Sequence, residues 1–358
     1  MAMRFPIPAQ APATEGLVAI PGVRLWVSDT GAGSESAGGA ANRETIVLCH
    51  PASQSNRIWL YQQPVLAAAG YRVVAYSRRG IYRSEQGPAE DRGSSAVDLA
   101  HLLDTLGIDK AHVVGAAAGG IVALAFAVMQ PRSVISLTLA GTIFSIAADD
   151  WRAMYARLGM AAAAKALPAD FLELGPSYRA ADPEGVARFA ELEHEARPNG
   201  RFDQPSGAAV TWASLEALRV PTLLLTGEAD LYAPPPLQQL VAAHLPSCET
   251  TTLREVGHAP LLGSPRRVQP PAARFPRPVE AGAVKVRDRG EDGQKCPLCP
   301  DLERRGEEFE TGECGPGREA TCASPLPIVA LDGERVRVRG GGLLRSQHVA
   351  HGRSRRVS

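Results

Sequence analysis

Residues Gly115-Ala116-Ala117-Ala118-Gly119 join an apolar run, His112 to Val114, to a second apolar run, Gly120 to Met129, which Pro131 stops. The pattern predicts a strand that turns within five residues into a helix, with a glycine on each side of the turn. Such a turn holds the side chain at its apex above the end of a sheet, and few folds use it. The spacing is that of a nucleophile elbow, Gly-x-Ser-x-Gly, with alanine in place of serine. The apical side chain, Ala117, is a methyl group. It neither attacks a carbonyl, nor donates a proton, nor binds a metal.

The surrounding sequence alternates between the two periodicities. Leu17 to Ile20 and Val23 to Val27 flank Pro21-Gly22 and predict a hairpin. Thr45 to Cys49 and Tyr71 to Tyr76 are short, β-branched and apolar, as buried parallel strands are. Between them Tyr61 to Ala69 forms a crossover helix that Gly70 ends. Ser94 to Leu106 is amphipathic, with Ser94 or Ser95 as its cap and Gly107 past its end. Val134 to Ala140, Pro221 to Thr226 and Thr250 to Leu253 supply further strands. The fold class is α/β, a mostly parallel sheet flanked by helices. The long gap from Ile143 to Leu218 is helical in composition, with Trp151 to Ala164 and Pro183 to Ala196 its clearest helices. An insertion there sits above the strand ends, where a cap shapes a pocket and excludes water; the alternative is a packing insertion with no part in binding. The expected organisation is a core in two parts, residues 1–142 and 219–261, around a cap at 143–218, followed by a tail at 262–358.

The tail differs from the body. Residues 1–261 hold 20 Lys and Arg against 25 Asp and Glu, a net of −5, whereas residues 262–358 hold 18 against 13, a net of +5. The tail is rich in Pro, Gly and Arg, has two aromatics, Phe275 and Phe309, and lacks sustained periodicity, so it reads as a low-order segment. Codons able to encode Leu262 to Pro276 can, in a neighbouring frame, spell an amphipathic helix with an acidic and apolar pattern; a frameshift near Leu261 or Leu262 is the expectation. Cys296-x-x-Cys299 with Cys314 and Cys322 makes a poor metal set, because seven residues separate the second pair. The reading is of a chain without metal or cofactor. A formal net charge of zero gives no pull toward nucleic acid. No apolar run reaches the roughly 20 residues that span a bilayer. Met1 to Glu15 has no apolar signal core, so the expected location is cytoplasmic.

The chemistry falls at the ends of the last two strands. Thr226-Gly227-Glu228-Ala229-Asp230 puts Asp230 just past one of them, and Glu255-Val256-Gly257-His258 puts His258 on the loop after the next. An imidazole held by a carboxylate has a fixed tautomer and raised basicity, and acts as a general base near neutral pH. Singly, each residue also reads as an ordinary loop residue; the pair in this order after an elbow is the informative observation. Cys49, Ser53 and Ser84 are weaker candidates for a substitute nucleophile. Cys49 falls inside a strand and reads as core, and Ser53 reads as a loop cap.

Residues 17–260 resemble the α/β-hydrolase superfamily, in its helical-cap branch of enol-lactonases, esterases and carbon–carbon hydrolases. The resemblance rests on Ile46-Val47-Leu48-Cys49-His50, on Tyr76 to Ser84, on Val113 to Gly120, and on Val220 to Asp230 with Val256 to Pro260. The second stretch is similar to the family's Asp-x-Arg-Gly-x-Gly-x-Ser loop, with Ser77 in place of the acid and Tyr82 in place of a glycine. The order elbow, acid, histidine is that of the family's triad. The resemblance implies an oxyanion hole from the backbone N–H groups of Ala52, in the loop His50-Pro51-Ala52-Ser53, and of Ala118, after the elbow. The plain alternative for that loop is a strand end with no such role. Aminoacrylate hydrolases are a group within the superfamily whose elbow also carries alanine.

Three readings of the missing serine stand at this point. His258 with Asp230 activates a water that attacks a small carbonyl substrate such as an ester, lactone, carbamate or enamine; hydrolases stripped of the triad keep roughly 10³–10⁴-fold catalysis from binding and the oxyanion hole. In the second, the dyad only moves protons, as in a lyase, isomerase or cofactor-free oxygenase. In the third, the chain is a non-catalytic binding protein or an inactivated Ser-to-Ala variant.

Overall fold

The computed structural model describes residues 6–31 and 44–263, apart from 161–162, 164–165, 199 and 201. The cysteine group, the frameshift expectation and nearly all of the expected tail lie outside the described residues.

The hairpin forms as β1 (Thr14–Ile20) and β2 (Val23–Asp29), paired antiparallel. Gly22 makes the turn with a φ of 79°, a conformation open to glycine without steric penalty. The remaining strands are β3 (Thr45–Cys49), β4 (Arg72–Tyr76), β5 (Ala111–Ala116), β6 (Val134–Ala140), β7 (Thr222–Gly227) and β8 (Cys248–Leu253). They assemble with the hairpin into one sheet of order β1-β2-β4-β3-β5-β6-β7-β8. β2 meets β4 antiparallel, and every pairing from β4 across to β8 is parallel.

The central strands β3, β5 and β7 are buried along their whole length. Continuous apolar runs, rather than alternating ones, follow from helices covering both faces. Strand alternation divides the core in two. Val47, Val74, Val113, Leu137 and Leu224 pack on one face with α2 (Ser95–Thr105), α3 (Ala118–Met129) and Leu237 and Val241 of α9 (Pro235–Ala242). Ile46, Leu48, Val73, Val114 and Leu223 face the other way, against Leu66 of α1 (Gln62–Ala68) and the turn of Trp59. Each such aliphatic side chain contributes about 2 kcal/mol by leaving water.

The segment between β6 and β7 carries α4 (Asp149–Ala156), α5 (Ala169–Glu173), α6 (Pro176–Ala181), α7 (Pro183–Ala196) and α8 (Trp212–Ala217). Phe189 and Leu192 of α7 join the second core cluster. The expected helix Trp151 to Ala164 instead ends at Ala156, where the chain turns through Gly159 at a φ of 67°. Residues 202–210 are not helical either. They have a structural task that the sequence did not disclose. The N–H groups of Ser95 and Ala96 donate to the carbonyls of Pro205 and Ser206. That strap caps α2, whereas the side chain of Ser94, at the cap position, makes no capping bond. A final turn, α10 (Pro260–Gly263), buries Leu261 and Leu262.

Candidate active site

The turn at Ala117 forms as the glycine spacing predicts, and the reason for each glycine is measurable. A Cβ on Gly115 would lie 2.5 Å from the Gly119 carbonyl oxygen, and one on Gly119 would lie 2.0 Å from the Cys49 carbonyl oxygen. Helix α3 therefore presses directly on the backbone of β5 and β3. Ala117 itself takes φ 49°, ψ −118°. A non-glycine residue there stores about 1–3 kcal/mol, which the flanking structure must hold. Its N–H is tied to the Ala140 carbonyl at 2.9 Å. Ala118 is the first residue of α3, so its N–H has no acceptor within the helix and lies at the positive end of the helix dipole.

The loop after β3 is fixed by a buried histidine. His50 Nδ1 lies 2.6 Å from the Pro51 carbonyl, and His50 Nε2 lies 3.0 Å from the Arg78 backbone nitrogen. A carbonyl only accepts and a backbone N–H only donates, so the ring is neutral with its proton on Nδ1. Burial, seconded by the charge of Arg78, holds the His50 pKa well below the ordinary value, in agreement with that assignment. Pro51 O also accepts from Arg78 Nη2 at 3.2 Å and from the Gln54 N–H at 3.3 Å. In a trans peptide the N–H lies opposite the carbonyl, so these donors set the direction of the Ala52 N–H. The Ala52 carbonyl accepts from Arg197 Nη2 at 2.9 Å.

Asp230 and His258 meet as their positions past β7 and β8 predict. His258 Nδ1 is 2.9 Å and 3.0 Å from the two oxygens of Asp230. Asp230 Oδ1 also accepts from the N–H groups of Tyr232 and Ala233, at 2.9 and 2.8 Å. The Tyr232 ring lies 4.5 Å from the imidazole, centroid to centroid. Burial disfavours the charged imidazole, but the charge and hydrogen bond of Asp230, with a contribution from Glu173, outweigh it and raise the His258 pKa above its ordinary value.

These parts share one cavity of about 460 Å³ at the carboxyl ends of the parallel strands, the place where open α/β sheets take their ligands. Ala52, Ala117, Ala118 and His258 all line it, and Asp230 stands behind the histidine. Of the other candidates, Cys49 and Ser84 do not line the cavity. Cys49 is fully buried, and burial pushes its thiol up to about 12. Ser84 is buried between the Trp26 N–H and the Ser77 carbonyl. Ser53 does reach the cavity, but it donates to Glu173 at 3.0 Å instead of capping its loop.

Sequence reading missed Glu173, Glu193 and Arg197 from the helical segment, and Arg78, all of which line the cavity. Nothing local marks them, because each is brought in by tertiary packing. Arg79 carried a clearer signal beside Gly80. It forms a buried bidentate pair with Asp98, 2.7 and 2.8 Å, which anchors the loop after β4. In the same loop Tyr82, standing where the resembled motif has glycine, takes a φ of 54°.

The Alpha/beta hydrolase family model matches residues 46–269. The chain belongs to this family. A protein of Variovorax paradoxus (strain S110) named "Putative carbamate hydrolase RutD" is 30% identical over 237 residues, covering 62% of this chain and 87% of that protein. Among solved structures, an esterase from Thermogutta terrifontis aligns with a TM-score of 0.56 at 24% identity, over 72% of this chain and 95% of that one. The enol-lactonase from Burkholderia xenovorans LB400 aligns with a TM-score of 0.53 at 21% identity, over 69% and 94%. At such identities the likeness is one of fold. Among the described residues no helix is long and apolar enough to cross a membrane, and no three His, Cys, Asp or Glu side chains gather as a metal site.

Proposed function

We propose that this α/β-hydrolase family member hydrolyses a small carbonyl compound, of the ester, lactone, carbamate or enamine kind, without a serine nucleophile. His258 takes a proton from a water, with Asp230 holding its ring and tautomer. The hydroxide that forms attacks the carbonyl carbon beside Ala117, and the N–H groups of Ala52 and Ala118 receive the developing oxyanion. The helical segment 143–218 serves as the cap and limits the size of what enters. The observation that carries this reading is the shared cavity: imidazole, helix N-terminus and the fixed Pro51–Ala52 peptide border one space, with no side chain beyond a methyl at the apex of the turn. The carbamate named for the Variovorax relative falls within the same substrate class.

The test is a panel of activated esters, lactones and carbamates assayed with the full chain and with His258→Ala. Turnover that is linear from the first cycle, and lost in the variant, supports the reading. Turnover that survives in His258→Ala, or none on any substrate, overturns it.

A further inference from the structure

Glu173 occupies a position that the proposed reaction has not yet used. It ends α5, and its carbonyl accepts the Ala259 N–H at 2.8 Å, one residue past His258. Gly175 lies so close to the same loop that a Cβ there would sit 2.4 Å from the Glu255 carbonyl oxygen. Two main-chain contacts thus seat this part of the helical segment on the histidine loop. The Glu173 side chain lines the cavity along with His258 and Ala117, and accepts the Ser53 hydroxyl at 3.0 Å.

Two carboxyl groups therefore act on one imidazole, Asp230 through a direct hydrogen bond and Glu173 across the shared cavity. Asp230 holds the Nδ1 side and is satisfied by two backbone N–H groups besides the ring. Among the described residues Glu173 has one hydrogen-bond donor, Ser53, and burial raises its pKa against the opposing pull of His258 and Ser53. Titratable pairs whose surroundings push them apart are how acid and base roles are divided in one site. The other charged groups around Glu173 are Glu193, which raises its pKa, and Arg197, which lowers it.

We propose that Glu173 is a second catalytic residue, the general acid that protonates the leaving group while His258 serves as base. This rests on the hydrolytic reading above. As water attacks, its O–H bond breaks toward His258 Nε2 and the new C–O bond forms. The tetrahedral intermediate then collapses with cleavage of the bond to the leaving heteroatom, which takes the Glu173 proton. Imidazolium and carboxylate remain, and one proton passing from His258 to Glu173 restores the neutral pair. Atoms and charge balance with water as the only co-reactant.

The experiment compares two esters of one acid, an aryl ester whose leaving group departs as the anion and an alkyl ester whose leaving group needs a proton. Glu173→Gln keeps the shape and an oxygen for Ser53. The expected loss in kcat is about 10²-fold or more on the alkyl ester, and at least about tenfold greater than the loss on the aryl ester. Equal losses on both, or none on the alkyl ester, overturn the assignment while leaving the hydrolytic reading intact. Aryl-ester turnover that persists in His258→Ala overturns the hydrolytic reading and this assignment with it. Ser53→Ala supplies a second readout. Removing the donor to the carboxylate raises the Glu173 pKa, so the alkaline limb of the alkyl-ester profile moves to higher pH; a limb that stays in place also overturns the proposal.

Discussion

Asp230 presents both carboxylate oxygens to His258 Nδ1, at 2.9 and 3.0 Å, and one of them also accepts two backbone N–H groups. The arrangement leaves no place for an amide. In Asp230→Asn the side-chain oxygen stays with the Tyr232 and Ala233 N–H groups, so the NH₂ faces Nδ1. The imidazole proton then moves to Nε2, and the ring loses the lone pair with which it accepts a proton. We expect kcat on an activated ester to fall about 10³–10⁴-fold, with the far-ultraviolet circular dichroism unchanged. A loss smaller than tenfold contradicts the orienting role.

Ala117 holds strained backbone angles at the apex of the strand-to-helix turn. Ala117→Ser needs no new backbone conformation, because serine and alanine meet the same steric limit at this φ. The expected outcome is a change of mechanism: an acyl-enzyme forms, and pre-steady-state product release on a p-nitrophenyl ester shows a burst that the original chain lacks. Absence of a burst, at unchanged or lower rate, places the apex out of reach of the imidazole.

The His258 pKa is raised, so the neutral imidazole predominates only above the ordinary histidine value of about 6.5. The acid limb of kcat/KM is expected above that value. Asp230 is the largest of the groups raising it, so an acid limb below that value contradicts the placement of its carboxylate against the ring. Stability follows the same sign. The raised pKa means the folded state binds the proton more tightly, so the contribution is complete below about pH 6.5 and is lost as pH rises through the folded value. Chemical denaturation of His258→Gln against the original chain, across that window, reads the difference directly.

The frame of this site was legible because it rests on local rules. Gly115 and Gly119 mark the close approach of α3 to two strands, and the runs Thr45 to Cys49 and Val134 to Ala140 have the composition of buried strands and form over those residues. Asp230 and His258 were found because strand ends in a parallel sheet converge on one edge. Glu173, Arg78 and Arg197 were not, since their place depends on how the segment between β6 and β7 folds back, and no periodicity encodes that. The cap of α2 failed for a related reason. Ser94 has the right residue type and backbone angles, but the strap at Pro205 and Ser206 takes the donors first.

Two glycines separate conformational need from steric need. Gly107 ends α2 with a φ of 65° and nothing within 4 Å of the place a Cβ would occupy. Alanine there costs only the left-handed backbone, about 1–2 kcal/mol. Gly119 has ordinary helical angles, yet a Cβ would fall 2.0 Å from the Cys49 carbonyl oxygen and 2.6 Å from that of His50. Neither oxygen can move without breaking β3 or the loop that carries Ala52, so the clash must push α3 off the sheet. Gly119→Ala is therefore expected to lose far more stability in urea titration than Gly107→Ala, and to lose ester hydrolysis even where it stays folded, because Ala118 moves with the helix. Equal and small effects at the two positions contradict the packing of α3 against β3 that fixes where Ala118 lies.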